Sequence, residues 1–515
     1  MNRLLVLFIS WVKKNRLILL LSLFYFIFRL INLTKLPIFN DEAIYLDWGW
    51  RETHRAGFLY YSLYDAKQPF LMWIFGLAES ILSDPLFAGR LISVCAGFLT
   101  LLGIYKLSKD FFSKEIGFLA VFLYAITPLF SFYDRQALME SSIAAVGIWA
   151  CYFMLKTLQN PSSKKLPILL GVVLGIGFFI KSSSLLFLVS AYFVSIGYAI
   201  FSKKVRLLNS LVIAILSFLV VIFFLLINPQ FWQTLPSNAR YSLTLGEMLA
   251  LPLHTWFTNI VANTQISVVY LTPLLFLVSV LGIINIFWKR QKNQILFLSF
   301  FILALLGTTL LARIPSDRYL VSFLPFVVIP AAYLLLVCLK KQKILGVILS
   351  LTVFSIPFCL TLLQLINPPL YLLDTLPYAP SVNSTYLEGV TSGYGINETV
   401  DYFKNIAQNK TIIVGIAENT GNPESALITY FDQSTNVRVV YFAPEQFPMK
   451  ISDYDCIGID TPLYFVARDE QLPGIAKFMQ KIKTVKNPYG KNTIGIYTLK
   501  KDCVGKTLIL HINAT

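Results

Sequence analysis

Two adjacent carboxylates, Asp41 and Glu42, and a lysine, Lys67, bracket the stretch of this chain best suited to chemistry. That stretch, residues 37–69, reads PIFNDEAIYLDWGWRETHRAGFLYYSLYDAKQP and follows an apolar run long enough to cross a membrane. An acid pair at a membrane surface can act as a general base, taking a proton from a hydroxyl. A lysine at the far end of the loop is a point charge suited to a phosphate oxygen. The same residues also have plainer readings. Asn40 followed by two acids is a helix start, with Asn as cap and carboxylates favoured by the dipole of the first turn. Lys67-Gln68-Pro69 can open a helix, and a lysine at a membrane edge often only snorkels.

Two later motifs carry charge into apolar surroundings. In YDRQALMESS, Asp134 and Arg135 are expected at the outer end of the fourth span. Glu140, five residues on, then sits ~7.5 Å deeper at ~1.5 Å per residue. At that depth an ionisable group should face a cavity or a partner, and Arg90 and Arg135 are the candidate partners. In ARIPSDRYL, Arg313, Asp317, Arg318 and Tyr319 occupy a short outer loop between the ninth and tenth spans. Arg318 and Tyr319 either snorkel there or close on the same phosphate as Lys67. His54 and His254 lack a second histidine at ligand spacing, and the cysteines show no ligand pattern, so neither metal nor other cofactor is expected. Cys95, Cys151, Cys338 and Cys359 read as small hydrophobes in apolar helices. Cys456 and Cys503 are the pair that could bridge in an oxidising exterior.

The elements that must position these groups follow from composition. The 515 residues are 56% hydrophobic and 15% aromatic, with a mean hydropathy of +0.67. Soluble domains are ~45–50% apolar, so the chain reads as a polytopic α-helical membrane protein. Its net charge of +16 comes from short clusters between apolar runs, the pattern of topology charges, and no nucleic-acid partner is expected. Apolar runs of spanning length lie at about 17–33, 86–107, 117–133, 137–158, 166–180, 182–201, 207–227, 267–288, 294–311, 319–338 and 344–366, eleven helices in all. Residues 70–82 are too short to span and read as an amphipathic helix along the interface. The N-terminal run reads as a retained anchor, because no small-residue cleavage site follows it.

Nineteen lysines and arginines fall in one set of loops and nine in the alternate set, which puts the N-terminus in the cytoplasm and the larger loops outside. Two domains are expected. Residues 1–366 form the membrane domain, with outer loops 34–85 and 228–266, and residues 367–515 a small soluble α/β domain outside the plasma membrane. In the latter, strand-like runs at 411–416, 437–442, 456–459 and 493–499 alternate with helical stretches near 396–407 and 470–482. It contains no GxGxxG after a strand, no P-loop and no GxSxG.

Taken in order, NDEAIY, KQPF, AGRL, DRQALMES and DRYL resemble the GT-C glycosyltransferases of the protein O-mannosyltransferase-like group. That group includes bacterial lipid A aminoarabinose transferases and related lipopolysaccharide sugar transferases, and the resemblance covers roughly residues 15–340. It implies inverting transfer of a sugar from a polyprenyl-phosphate donor to a lipid, glycan or protein acceptor at the outer face. Asp41 matches the first-loop acid, with Glu42 beside it. Lys67 matches the lysine before Pro-Pro, although Gln68 stands in place of the first proline. Glu140 stands where many relatives have Asp. The expected roles are Asp41 and Glu42 as catalytic residues, with Lys67, Arg135, Glu140, Arg318 and Tyr319 binding substrate among membrane lipids. The alternative is a transporter or flippase of lipid-linked sugars, for which paired halves with interrupted helices would be expected; no half-repeat is visible.

Overall fold

The computed structural model describes residues 3–204, 206–374, 384–417, 421–442, 462–468 and 479–499. They sort into two compact units that do not meet at a single point in the chain. One comprises Met1–Leu33, Arg55–Ile74 and Arg90–Tyr371; the other comprises Thr34–His54, Phe75–Gly89 and Leu372–Thr515. The segments 34–54 and 75–89, expected as outer loops of a helical domain, thus group with the C-terminal residues. A backbone bond shows why: the Asn40 N–H, at the start of a helix, donates to the Thr391 carbonyl at 3.1 Å.

Helices dominate the first unit. Among the described residues, seven helices of the chain are long and apolar enough to cross a membrane, or eight if one bent pair is a single span. Three of the eleven expected runs depart from a single straight helix for local reasons. The run 117–133 breaks at Thr127, whose backbone is extended, with Pro128 opening the six-residue helix Pro128–Tyr133. A proline at the first helical position lacks only an N–H that would be unpaired anyway. The run 166–180 forms a helix of 16 residues, Lys165–Ile180, just short of the ~17 needed to span. The bent pair is Leu253–Leu271 with Pro273–Lys289, turned by 114° at Thr272, whose φ of 73° no helix accommodates. Most of the expected loop 228–266 is helical, in Pro229–Thr234, Leu235–Arg240, Leu245–Leu249 and the first part of Leu253–Leu271.

Small residues let these helices approach closely. On Lys165–Ile180, Gly171 faces the Ala214 carbonyl of helix Arg206–Leu226 and Gly175 faces Val221, so a Cβ at either position would collide. Phe187, Phe300, Phe301, Phe323 and Phe326 fill the interior beside them, all buried, with Phe301 and Phe326 stacked at 5.5 Å.

The second unit holds a five-stranded sheet in the order β2-β1-β3-β5-β4. Its strands are β1 (Ile412–Ala417), β2 (Val437–Phe442), β3 (Leu463–Arg468), β4 (Met479–Lys486) and β5 (Thr493–Leu499). β1 runs parallel to β2 and β3, while β5 is antiparallel to β3 and β4. The expected strands near 411–416, 437–442 and 493–499 are present, as is the helix near 396–407, now Ile396–Ile406. The expected strand 456–459 and the Cys456–Cys503 pair lie outside the described residues, as do 470–478. Residues 479–482, expected as the end of a helix, belong to β4, an edge strand whose exposed Lys481, Lys483 and Lys486 resemble the polar face of a helix. Charged side chains on a sheet edge also discourage further pairing. Helix Glu424–Phe431 packs on the acid-bearing helix Asn40–His54 within this unit.

The close helix approach can be tested. Gly171→Val should lower the thermal midpoint of the solubilised protein, since overpacking costs ~1–3 kcal/mol. Gly197→Ala, which meets open space, should leave the midpoint unchanged or slightly raised. Equal midpoints for wild type and Gly171→Val would contradict the packing described here.

Candidate active site

Asp41 and Glu42 both lie in the first turn of helix Asn40–His54, but the structure uses them differently. The Glu42 carboxylate turns back to accept the Phe39 N–H at 2.9 Å and is fully buried. Satisfying a backbone donor just ahead of the first turn is a capping function. Asp41 is only half-buried, and the Asn40 side-chain amide approaches its Oδ1 at 3.5 Å. Further along the helix, Asp47 and Arg51 pair at 2.6 Å, and Arg51 donates to the Tyr441 hydroxyl at 3.0 Å.

The helical unit contains a separate cluster of cations. Glu140 is the first residue of helix Glu140–Gln159, because residues 134–139 form turns instead of continuing a span. Its carboxylate is fully buried, and its Oε1 accepts from Lys181 at 3.0 Å and Arg318 at 3.2 Å. The partners expected from sequence, Arg90 and Arg135, are therefore replaced by two cations from elsewhere. Lys67 lies in the same helical unit. Basic side chains gathered at a buried site can attract an anion such as a phosphate.

The loops bearing these charges are pinned. Ala66, in the left-handed region at φ 56°, turns the chain into Lys67, whose N–H donates to the Ser62 carbonyl at 3.1 Å. The Lys67 ammonium lies 4.5 Å from the Tyr241 ring centroid, and the neighbouring Arg240 pairs with Asp65. Asp317 accepts the hydroxyls of Tyr133 at 2.7 Å and Tyr270 at 2.8 Å, and it takes the Arg318 N–H at 2.9 Å. Tyr319 is next in the short helix Asp317–Val321. Burial, with Tyr241 adding, raises its phenol above the ordinary value, so it stays a hydrogen-bond donor.

Arg135 plays another part. It donates to the Asn32 carbonyl at 2.7 Å, while Arg90 donates to Leu33 at 2.8 Å and Arg29 to Ala125 at 2.9 Å. These carbonyls lie at helix C-terminal ends, where cations are favoured by the dipole. Asp134 sits among them, bonded to Arg29 at 3.1 Å and to the hydroxyls of Tyr25, Tyr124 and Ser141. Arg135 is thus built into a structural network whose neighbouring charges are Arg29 and Arg90. The residues missed from sequence are Lys181 and Tyr241. Lys181 had a signal, since a lysine splitting the apolar run 166–201 needs an anionic partner and Glu140 needs a cation. Among the described residues no group of three or more His, Cys, Asp or Glu is arranged to hold a metal ion.

Residues 66–232 match the family model for dolichyl-phosphate-mannose-protein mannosyltransferase. No curated protein sequence aligns significantly with the chain. The fold is similar to that of ArnT from Cupriavidus metallidurans, solved bound to undecaprenyl phosphate, at a TM-score of 0.57 and 13% identity. That alignment covers 95% of this chain and 98% of ArnT. The Archaeoglobus fulgidus oligosaccharyltransferase is also similar, at a TM-score of 0.53 and 13% identity over 95% of this chain and 76% of the archaeal one. The likeness to solved structures establishes the fold over nearly the whole chain, and the mannosyltransferase family model matches residues 66–232, about a third of it.

Proposed function

We propose that the protein transfers a sugar from a polyprenyl-phosphate donor to a lipid, glycan or protein hydroxyl at the outer face of the plasma membrane, with inversion. The observation that carries this reading is the convergence of Lys181 and Arg318 on the buried carboxylate of Glu140, with Lys67 in the same helical unit. Such a cluster suits the phosphate of a lipid carrier, and undecaprenyl phosphate is what the similar ArnT was solved with. Asp41 takes the acceptor hydroxyl proton as its oxygen bonds to the anomeric carbon. The bond from that carbon to the phosphate oxygen breaks, and the lipid phosphate leaves with the electron pair. A single displacement inverts the sugar carbon. The cation cluster stabilises charge on the departing phosphate, where fixed charges in a poorly hydrated site act strongly. Glu140 holds Lys181 and Arg318 in place, and the Tyr319 hydroxyl supplies a further donor.

Asp41→Asn should abolish transfer while the protein still inserts and folds, since loss of a general base costs ~10²–10⁴-fold. Near-normal turnover would remove Asp41 from the mechanism. Lys67→Ala should weaken donor use about 10–100-fold, the range of a lost charged hydrogen bond, whereas Lys67→Arg should keep part of the activity. A donor titration with unchanged apparent affinity and rate in Lys67→Ala would sink the phosphate-holding role. The outer location of the chemistry rests on the charge bias between loops. Single cysteines at Gly57, Lys204 and Lys410 should react with an impermeant reagent in intact cells at 57 and 410 but not at 204. Labelling at 204 alone would reverse the orientation.

A further inference from the structure

The C-terminal α/β unit carries no recognisable catalytic motif, yet its polar backbone converges on the residues around Asp41. The Asn422 N–H donates to Asn40 Oδ1 at 2.8 Å. The Asn422 side-chain amide donates to the carbonyls of Ile38 at 3.1 Å, Thr391 at 3.3 Å and Ser392 at 3.4 Å. The Thr391 carbonyl also accepts the Asn40 N–H, and Thr429 donates to the Ala43 carbonyl at 3.2 Å. Two glycines make the approach possible. At Gly421, with φ at +112°, a Cβ would strike Asn40 Oδ1, and at Gly393 it would strike the Ile38 carbonyl. Arg468, buried at the end of β3, ties both sides of this clamp by donating to Asn422 at 3.2 Å and to Ser392 at 3.0 Å. A line of hydrogen bonds therefore leads from the sheet through Arg468 and Asn422 to Asn40.

The last link reaches Asp41. An asparagine amide has an acceptor end and a donor end. Because the Asn422 N–H can only donate, Asn40 must present its oxygen there, which turns its Nδ2 toward Asp41 Oδ1 at 3.5 Å. We propose that the C-terminal unit serves to set the position and hydrogen-bonding of the Asp41 carboxylate, with Asn422 and Asn40 as positioning residues. This rests on the reading of Asp41 as the base. The unit thereby acts on turnover and not on donor capture, which is assigned to Lys67, Lys181 and Arg318.

The test uses the full-length purified protein. Asn40→Asp keeps an oxygen for the Asn422 N–H and an acceptable helix start, but sets a second carboxylate against Asp41. Its kcat should fall 10-fold or more, with the donor KM within twofold of wild type. Asn422→Ala should show the same split and should raise hydrogen exchange in residues 37–47 without loss of protection in β1 and β3. Wild-type kcat in both variants, or a donor KM that changes as much as kcat, would overturn the proposal. So would loss of protection spread evenly over the sheet, which marks a merely structural role. Asp41→Asn separates the two readings. If it remains active while Asn422→Ala loosens residues 37–47 and lowers kcat, the clamp stands and the base is another group.

Discussion

A carboxylate buried among helices must find positive charge, and Glu140 is the point on which the candidate site depends. An unpaired ion in such a setting costs several kcal/mol even after relaxation. Glu140 sits at a helix N-terminus, where the dipole favours an anion, and takes two cations from distant segments, Lys181 and Arg318. Each partner then needs support of its own. Lys181 follows a helix that closes at Ile180, so the apolar stretch 166–201 cannot run straight through. Arg318 sits in the short helix Asp317–Val321, whose first residue, Asp317, gathers Tyr133 and Tyr270 from two other helical segments. The short helix carrying Arg318 and the break after Ile180 both bring a cation to a single acid.

The chain contains a second buried charge network with the opposite balance of duties. Around Asp134, the arginines Arg29, Arg90 and Arg135 spend donors on carbonyls at helix ends, and the tyrosines Tyr25 and Tyr124 complete the acid's shell. Gly97 lets Tyr25 and Asp134 approach so closely that a Cβ would collide with both. Such a network fixes how helices end relative to one another. Both networks consist of acids and cations in apolar surroundings, and only their partners tell them apart.

That distinction explains what could be read from the sequence. Membrane class, most strands of the α/β unit and the charged loops carrying Asp41, Lys67 and Arg318 follow from composition, alternation and spacing. Arg135 looked equivalent to Arg318, because a linear pattern does not reveal whether a guanidinium meets a carbonyl or a carboxylate. Lys181, between the apolar runs 166–180 and 182–201, has its partner 41 residues away in the chain, a distance no local pattern reports. The assignment of Glu140 to the interior of a span failed because residues 134–139 turn, and nothing in their composition breaks a helix. β4 was missed because alternating lysines on an edge strand resemble a helical polar face.

The clamp on the acid-bearing helix joins Asn40 to Asn422 across 382 positions of sequence. At ~5–20 residues per second of synthesis, about 20–75 s separate the emergence of the two partners. For that interval the helix start at residues 38–40 exists without the carbonyl and amide groups that later satisfy it. Ribosomal elongation over the intervening helices, and not the intrinsic speed of hairpin or helix formation, therefore sets when the Asp41 segment can reach its final geometry. Until the last third of the chain has been made, a nascent molecule already threaded through the membrane lacks its finished acid loop.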